Sequence, residues 1–416
     1  MPHKTRWTTL FLAGLFTITI MGLLLRSKLV FSLPFIHYNT LLEAHSRFTF
    51  QGWITLILYF LLKEELLAPR QAHGSFYTPL LASLAVFAWL TLLAYSSPVT
   101  APLAQVTTGC YVLTTLAYTI RFLHDLRSSA ATHHVKNLAT CALLAQLISW
   151  PALALVNYPQ GLPGSTILQV RNALFTYLHF QYNGFFMLSA LAITLHRLDP
   201  RISPTLMKKA RRLSWLLAGS LLPTLALTYL WQPVPLALSL VAGAGSLLLL
   251  AALAYLIPLL PPLLRMFRNQ GSTTRSIAAL ALVSLVAKMI LQALLCLPWV
   301  GSPVFGNRPV IMAYLHLVFL GCITLLLIAL LIQIGLLDIQ KKLTPVASWV
   351  FATGVVWNEL VLFSQGIGSL LFAAGTLFYW LLWSAACWLT AGALLLLLSV
   401  ILPSRPAVTV RHRSSA

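Results

Sequence analysis

The chain is made of long apolar stretches, each close to the length that a helix needs to cross a lipid bilayer. A membrane-spanning helix takes about 20 mostly apolar residues. Because the bilayer core offers the backbone no hydrogen-bond partners, such segments must be helical. The sequence therefore predicts an all-α integral membrane protein with twelve transmembrane helices, at residues 7–26, 41–62, 77–97, 102–122, 135–156, 168–195, 212–231, 235–260, 276–299, 310–336, 345–365 and 370–402.

Composition supports a chain that lies almost entirely in the membrane. Of its 416 residues 59% are hydrophobic and 8% are charged, and its mean hydropathy is +0.86. A water-soluble domain carries about a quarter charged residues. We therefore interpret residues 1–416 as a single transmembrane domain, with the bilayer as its first partner.

The basic residues, which give a net charge of +20, concentrate in every second connection between the apolar segments. Lysine and arginine remain on the cytoplasmic side of a membrane, which predicts cytoplasmic N- and C-termini and a bacterial inner membrane location. Exceptions to this pattern are Arg26, Lys28 and Arg308. The basic residues form no patch interleaved with aromatic side chains, so no nucleic-acid partner is expected.

A histidine-containing string occurs in three copies. RNALFTYLHFQYNG (171–184) and RPVIMAYLHLVFLG (308–321) share Arg, Tyr-Leu-His and Gly at identical spacing, and EAHSRFTFQGW (43–53) is a weaker third copy. His45, His179 and His316 follow one another at nearly equal intervals, on predicted helices 2, 6 and 10. Repeats of this kind reveal architecture in membrane proteins. They predict three groups of four helices, at residues 1–130, 131–270 and 271–416, whose histidines converge on the interior.

Polar side chains inside a membrane are rare and usually have a function. Imidazole is a frequent metal ligand, so the three histidines predict a metal or haem site. Two intramembrane charges, Lys288 and Glu359, are expected either to pair with each other or to give Glu359 a role in proton transfer. Polar side chains that surround His179 and are candidates to orient a ligand are Gln181, Tyr182 and Asn183.

At these histidines the sequence resembles subunit I of the haem-copper oxidase superfamily, which includes cytochrome c oxidases and nitric oxide reductases. That family has twelve helices in three groups of four and holds a low-spin haem between histidines of helices 2 and 10. The resemblance implies a b-type haem with His45 and His316 as axial ligands. Arg308, and Arg47 near His45, are then candidates to meet the haem propionates. It also implies other respiratory subunits, quinol or a cytochrome as partners.

The sequence departs from this family where oxygen or nitric oxide reacts. The histidine that would ligate the high-spin haem falls on Tyr314, and the predicted helix 7 contains no histidine. Only the helix 6 ligand has a counterpart, His179. The resemblance therefore implies at most an altered second site, in which His179 holds copper or iron, and it leaves open whether the protein is an enzyme. If it is one, the expected class is an oxidoreductase of the respiratory type.

Two other functions remain open from the sequence. Twelve helices with cytoplasmic termini are also the common plan of secondary transporters, and several prolines, such as Pro223 and Pro258, are placed to break helices 7 and 8. The other alternative is a structural or assembly subunit in which the histidines have no function. The first hypothesis, a haem-binding redox protein engaged in electron transport, predicts haem absorption, whereas the other two do not.

Overall fold

The structure, a computed structural model, describes residues 3–95, 99–156, 166–371 and 375–403. These residues form helices and no β-strand. The long helices, which we number in chain order, are α1 (His3–Val30), α2 (Tyr38–Phe48, Thr49–Thr55 and Leu56–Leu66), α3 (Tyr77–Ala94), α4 (Ala101–Leu126), α5 (His133–Val156), α6 (Ile167–His179, Phe180–Phe186 and Met187–Leu198), α7 (Pro204–Leu225), α8 (Leu236–Leu256, Ile257–Leu259 and Leu260–Arg268), α9 (Ser272–Leu294), α10 (Arg308–His316, Leu317–Thr324 and Leu325–Gln333), α11 (Leu343–Leu370) and α12 (Leu377–Ile401).

Eight of the helices in the described part of the chain are long and apolar enough to cross a membrane. These are α1, α3, α5 and α8 to α12. The other four long helices contain polar stretches, such as TYLHFQYNG in α6. The structure therefore confirms an all-helical protein suited to a bilayer, with lipid as the natural environment of its apolar helices.

Helix α7 begins earlier than residue 212, where the sequence predicted its start. The Ser203 hydroxyl accepts a hydrogen bond from the Leu206 backbone N–H, and Pro204 occupies the first turn. A serine cap followed by proline is a strong helix start. The basic residues Lys208 and Lys209 therefore lie on the helix rather than in a loop. Prolines also interrupt α8, whose residues Ile257–Leu259 form a 3₁₀ turn around Pro258.

Neighbouring helices in the chain pack side by side. The pairs α3 and α4, α5 and α6, α7 and α8, α9 and α10, and α11 and α12 are all in contact. Helix α1 packs along α12, which joins the beginning of the described chain to its end. Helices α2, α6 and α10, which carry the three histidines, are packed among these pairs.

Each of the three histidine-bearing helices contains a π-helical segment just after its histidine. These segments are Thr49–Thr55, Phe180–Phe186 and Leu317–Thr324. A π-helical segment inserts an extra residue into a helix and is frequent at functional sites. The segments in α6 and α10 also bring neighbouring helices very close. A Cβ atom on Gly184 would lie 2.4 Å from the Ala145 Cβ atom, and one on Gly321 would lie 2.7 Å from the Ser284 Oγ atom.

The three π-helical segments meet through aromatic side chains. Phe50 of α2 lies with its ring centroid 5.2 Å from that of Phe186 in α6 and 5.0 Å from that of Phe319 in α10. The Phe186 and Phe319 centroids are 6.3 Å apart. A hydrogen bond of 3.1 Å from Trp53 Nε1 to Thr324 Oγ1 also joins α2 to α10. We call Phe50, Phe186 and Phe319 the central phenylalanine triad, because it connects all three histidine-bearing helices.

Candidate functional site

His316 lies on the last turn of α10 before the π-helical segment and is half-buried. Its Nδ1 atom lies 2.8 Å from the Met312 carbonyl oxygen, one turn earlier in the same helix. A carbonyl oxygen only accepts hydrogen bonds, so Nδ1 carries the proton and Nε2 presents a lone pair. A hydrogen bond of this kind orients an imidazole and fixes its tautomer, as is usual for histidines that bind metals.

His45 lies on α2 and packs against α1. The ring is close enough to the Ile18 backbone carbonyl of α1 for a ring nitrogen to interact with it, and a Cβ atom built on Gly22 would be 3.5 Å from the His45 Cε1 atom. Its Nδ1 atom is buried and lies outside hydrogen-bond geometry with every described residue. Buried polar atoms are nearly always paired, so this nitrogen is the kind of atom that a bound group would satisfy.

Arg26, on the last turns of α1, lies within range of electrostatic interaction with both histidines. His45 and His316 also lie within this range of each other. Arg308, at the start of α10, is near Arg26. Neither arginine forms a hydrogen bond or ion pair with a described residue. Two neighbouring cations without a carboxylate repel each other, and a bound dianion would remove that repulsion.

Apolar residues beside the two histidines form two separate clusters. One contains Met21, Ala44, Ala94, Tyr95 and Ala104, and so includes the residue next to His45. The other contains Ala313, Val361, Leu362 and Leu382, with Met312, the hydrogen-bond partner of His316, packed against it. Neither cluster joins the main core of the protein. Each of the two histidines therefore has an apolar cluster beside it, and a porphyrin ring needs apolar surroundings of this kind.

Arg47, a candidate to meet a haem propionate, and Arg171 both contact other residues of the protein. The Arg47 Nη2 atom lies 3.8 Å from the Glu43 Oε2 atom, and its guanidinium lies over the Tyr95 ring at 5.1 Å. Arg171, at the offset from His179 that Arg308 has from His316, donates to the Phe305 carbonyl oxygen at 2.9 Å and lies 4.0 Å from the Trp231 ring centroid. The ion pair with Glu43 and the Tyr95 ring therefore give Arg47 partners within the protein.

His179 differs from the other two histidines because both its ring nitrogens are hydrogen-bonded within the protein. It is fully buried. Nε2 donates to the Leu221 carbonyl oxygen of α7 at 2.8 Å, and Nδ1 accepts from Asn183 Nδ2 at 3.1 Å. The Asn183 Oδ1 atom in turn accepts a hydrogen bond from the Lys288 ammonium of α9. A metal ion on His179 would have to displace one of the two bonds to the imidazole.

This chain of bonds gives Lys288 a partner other than Glu359. Lys288 is buried and bonds to Asn183, while the Glu359 carboxylate accepts from Asn358 Nδ2 at 3.1 Å. Among the described residues no ion pair joins Lys288 to Glu359, so that hypothesis was wrong. Gln181 donates to Ser149 Oγ at 2.8 Å and does not reach the imidazole. Tyr182 packs edge-on against Tyr314, with ring centroids 6.1 Å apart.

Ligand sets of three or more histidine, cysteine, aspartate or glutamate side chains do not occur in the described ranges. A bis-histidine haem needs only two such donors, whereas a three-histidine copper site needs more. A haem at His45 and His316 therefore stays a prediction, as does a copper or iron ion at His179.

No protein-family model matches this sequence, and no curated protein matches it either. The resemblance to haem-copper oxidases consequently stays an expectation from the histidine motifs of the sequence, and the comparisons give no activity or substrate.

Sequence reasoning missed Arg26 as a site residue, although the residue was visible as an exception to the charge pattern. The signal was a pair of basic residues, Arg26 and Lys28, at the end of a predicted helix where the charge pattern predicts none. The π-helical segments left a weaker signal, which is a glycine that follows each histidine by five to seven residues.

Proposed function

We propose that the chain is a twelve-helix membrane redox protein that holds one b-type haem between His45 and His316. In this proposal all twelve long helices cross the membrane in three groups of four, and both termini are cytoplasmic. The observation that carries the proposal is that each of the two imidazoles keeps a ring nitrogen without a hydrogen bond to a described residue. His316 presents an Nε2 lone pair, and His45 retains a buried unpartnered nitrogen, while both lie near the same unpaired arginine.

Each residue of the site has a separate task in this proposal. The Met312 carbonyl oxygen holds the His316 ring in the orientation that exposes Nε2. Gly22 leaves room for the His45 ring against α1. Arg26 and Arg308 would supply positive charge for the two propionate groups. Positive charge near a haem also favours its reduced state, because reduction adds an electron. When bound, a haem with two histidine ligands supplies one-electron transfer.

Three groups of four helices are supported by the placement of the π-helical segments and the central phenylalanine triad. Each predicted group contributes one histidine-bearing helix to the triad, and each contribution comes from the second helix of its group. A two-group arrangement, as in many transporters, gives no reason for three such segments.

The experiment is a reduced-minus-oxidised spectrum of the purified full-length protein from haem-replete cells, compared among three variants. We expect the bands of a low-spin b-type haem in the wild type and in His179→Ala. We expect their loss in His45→Ala and in His316→Ala. Because His179 is fully buried and hydrogen-bonded, its variant tests whether a structural histidine alone changes the spectrum.

An absence of haem bands in the wild type would reject the redox proposal and favour the transporter hypothesis. Equal loss of the bands in all three variants would show that the spectrum reports folding rather than ligation. Circular dichroism and gel filtration of each variant show whether a loss of haem bands is accompanied by a loss of folding.

A further inference from the structure

A large, mainly apolar cavity lies among helices α6, α9, α10 and α11. Its volume is about 480 Å³, roughly three times that of a cavity that holds benzene. Three lining residues are strongly exposed, namely Val283 of α9 (66%), and Leu360 (57%) and Phe363 (56%) of α11. They lie in the middle parts of two helices that are long and apolar enough to cross a membrane. The cavity therefore opens toward lipid between α9 and α11.

Glu359 of α11 places a carboxyl group on the wall of this cavity. The side chain is half-buried, and its carboxylate accepts a hydrogen bond of 3.1 Å from Asn358 Nδ2. No lysine, arginine or histidine of the described chain forms an ion pair with it. A carboxylate that is removed from water is unfavourable unless a positive charge faces it. Glu359 is therefore a group that a positively charged ligand would satisfy.

Positive charge is absent from the lining. The described residues that line the cavity include neither lysine nor arginine. Lys288 of α9 faces a separate small cavity, where it has its own hydrogen bond. Arg171 packs on the Phe175 ring and donates to the Phe305 carbonyl oxygen. Neither of these cations forms an ion pair with Glu359, so the lining is negatively charged whenever Glu359 is ionised.

Aromatic rings form much of the remaining wall. They belong to Phe175, Tyr182, Phe305, Tyr314 and Phe363. Phe363 follows Glu359 by four residues, so its ring and the carboxyl group lie on the same face of α11, one turn apart. The Tyr182 and Tyr314 rings pack edge-on, with their centroids 6.1 Å apart. The faces of aromatic rings attract cations, and most strongly those that are removed from water. A carboxylate among aromatic rings in an apolar cavity therefore suits an organic ammonium group.

We propose that this cavity binds a lipophilic organic cation, with its positive charge beside the Glu359 carboxylate and its apolar groups against the aromatic wall. The opening between α9 and α11 lets such a molecule enter from the bilayer. A hard metal cation fits poorly, because it takes about six or more oxygen ligands and this lining is mostly apolar. The site goes beyond the haem proposal and does not depend on it, because no proposed haem ligand lines the cavity.

The test is equilibrium binding of radiolabelled benzyltriethylammonium to the full-length protein in phosphatidylcholine nanodiscs, with empty nanodiscs measuring partition into lipid. Glu359→Gln keeps the size of the side chain and removes its charge. We expect it to weaken binding about tenfold or more, because an ion pair in an apolar site is poorly screened. Asp338→Asn is the matched control, since Asp338 is an exposed acidic residue of the loop before α11 and lies outside the cavity. We expect this control to bind as the wild type does.

Two further measurements separate the role of the charge from that of the rings. The unlabelled neutral hydrocarbon in which a carbon atom replaces the ammonium nitrogen should compete poorly. Phe363→Leu should weaken binding about threefold to tenfold through the loss of a cation–π contact.

The proposal is overturned by binding no greater than that to empty nanodiscs, or by equal affinity of Glu359→Gln and Asp338→Asn. Equal competition by the neutral hydrocarbon would show that the cavity takes apolar molecules in general, such as lipid chains, and overturns the assignment of a cation. Saturable binding by a preparation without haem bands would leave this site standing while the haem proposal fails.

Discussion

Asn183 is the residue whose replacement gives the sharpest test of the buried polar chain. It donates to His179 Nδ1 and accepts from the Lys288 ammonium. Asn183→Ala leaves two buried groups unpaired, one of them charged. An unsatisfied buried neutral group costs about 1–3 kcal/mol, and a buried charge that loses its partner costs more. We expect Asn183→Ala to lower the free energy of unfolding by about 3–5 kcal/mol.

Two considerations limit this figure. Hydrogen bonds between membrane helices average only about 0.6 kcal/mol in double-mutant cycles. In addition, a small cavity of about 20 Å³ lies between Asn183, Lys288 and Gln292, which is room for about one water molecule. A water there would take over part of the role of the Asn183 oxygen.

The double mutant separates these possibilities, because Lys288→Met removes the charge that Asn183→Ala leaves unpaired. We expect Asn183→Ala to cost about 2 kcal/mol less in the Lys288→Met background than in the wild type. Unfolding in detergent micelles with increasing sodium dodecyl sulfate, followed by tryptophan fluorescence, measures each free energy. The matched control is Asn358→Ala, because Asn358 is also buried but bonds to Glu359. Its cost should be the same in both backgrounds. Additivity of Asn183→Ala and Lys288→Met within about 0.5 kcal/mol would refute the bond between the two side chains.

Three further predictions concern helix packing and orientation. Gly184→Ala should destabilise the protein by about 1–3 kcal/mol, because its Cβ atom would overlap the Ala145 Cβ atom. Adding Ala145→Gly to this variant should recover most of that loss in the detergent unfolding assay, and no recovery would place the strain elsewhere. Thr324→Val should cost about 0.6–1.5 kcal/mol by removing the acceptor of Trp53 Nε1. The control is Thr114→Val on α4, because the Thr114 hydroxyl bonds to the Cys110 carbonyl oxygen of its own helix, and equal costs of the two variants would deny the bond to Trp53 any special contribution. In a cysteine-free background, a membrane-impermeant thiol reagent added to intact cells should label Ser302→Cys and leave Lys209→Cys unlabelled, and the opposite result would reverse the proposed orientation.

The sequence was informative about the helices because one physical requirement, satisfaction of the backbone in lipid, acts on every apolar segment. It was weaker at helix ends, where local caps decide the boundary, as at Ser203 and Pro204. The sequence did not predict the π-helical segments. An extra residue in a helix is stable only where neighbouring helices accept the bulge, and that depends on packing between distant parts of the chain.

The candidate site shows the same division. The contact between His179 and Asn183 follows from their spacing of one helical turn. The contact of Asn183 with Lys288 does not, since it joins α6 to α9. The sequence suggested Glu359 as a partner for Lys288, because Glu359 is the one acidic residue deep in a predicted span. In the structure the Lys288 ammonium bonds to the side-chain amide of Asn183 instead. Likewise, Arg26 comes near His45 and His316 only through tertiary packing, in which α1 lies beside α2.

The central phenylalanine triad also has a consequence for permeation. Three aromatic rings from different helices meet there, and Phe186 is completely buried. Water and hydrated ions need a continuous polar lining to cross a membrane, and these three rings offer none. A hydrated ion or polar solute that passes between the three histidine-bearing helices must therefore take a route around the triad.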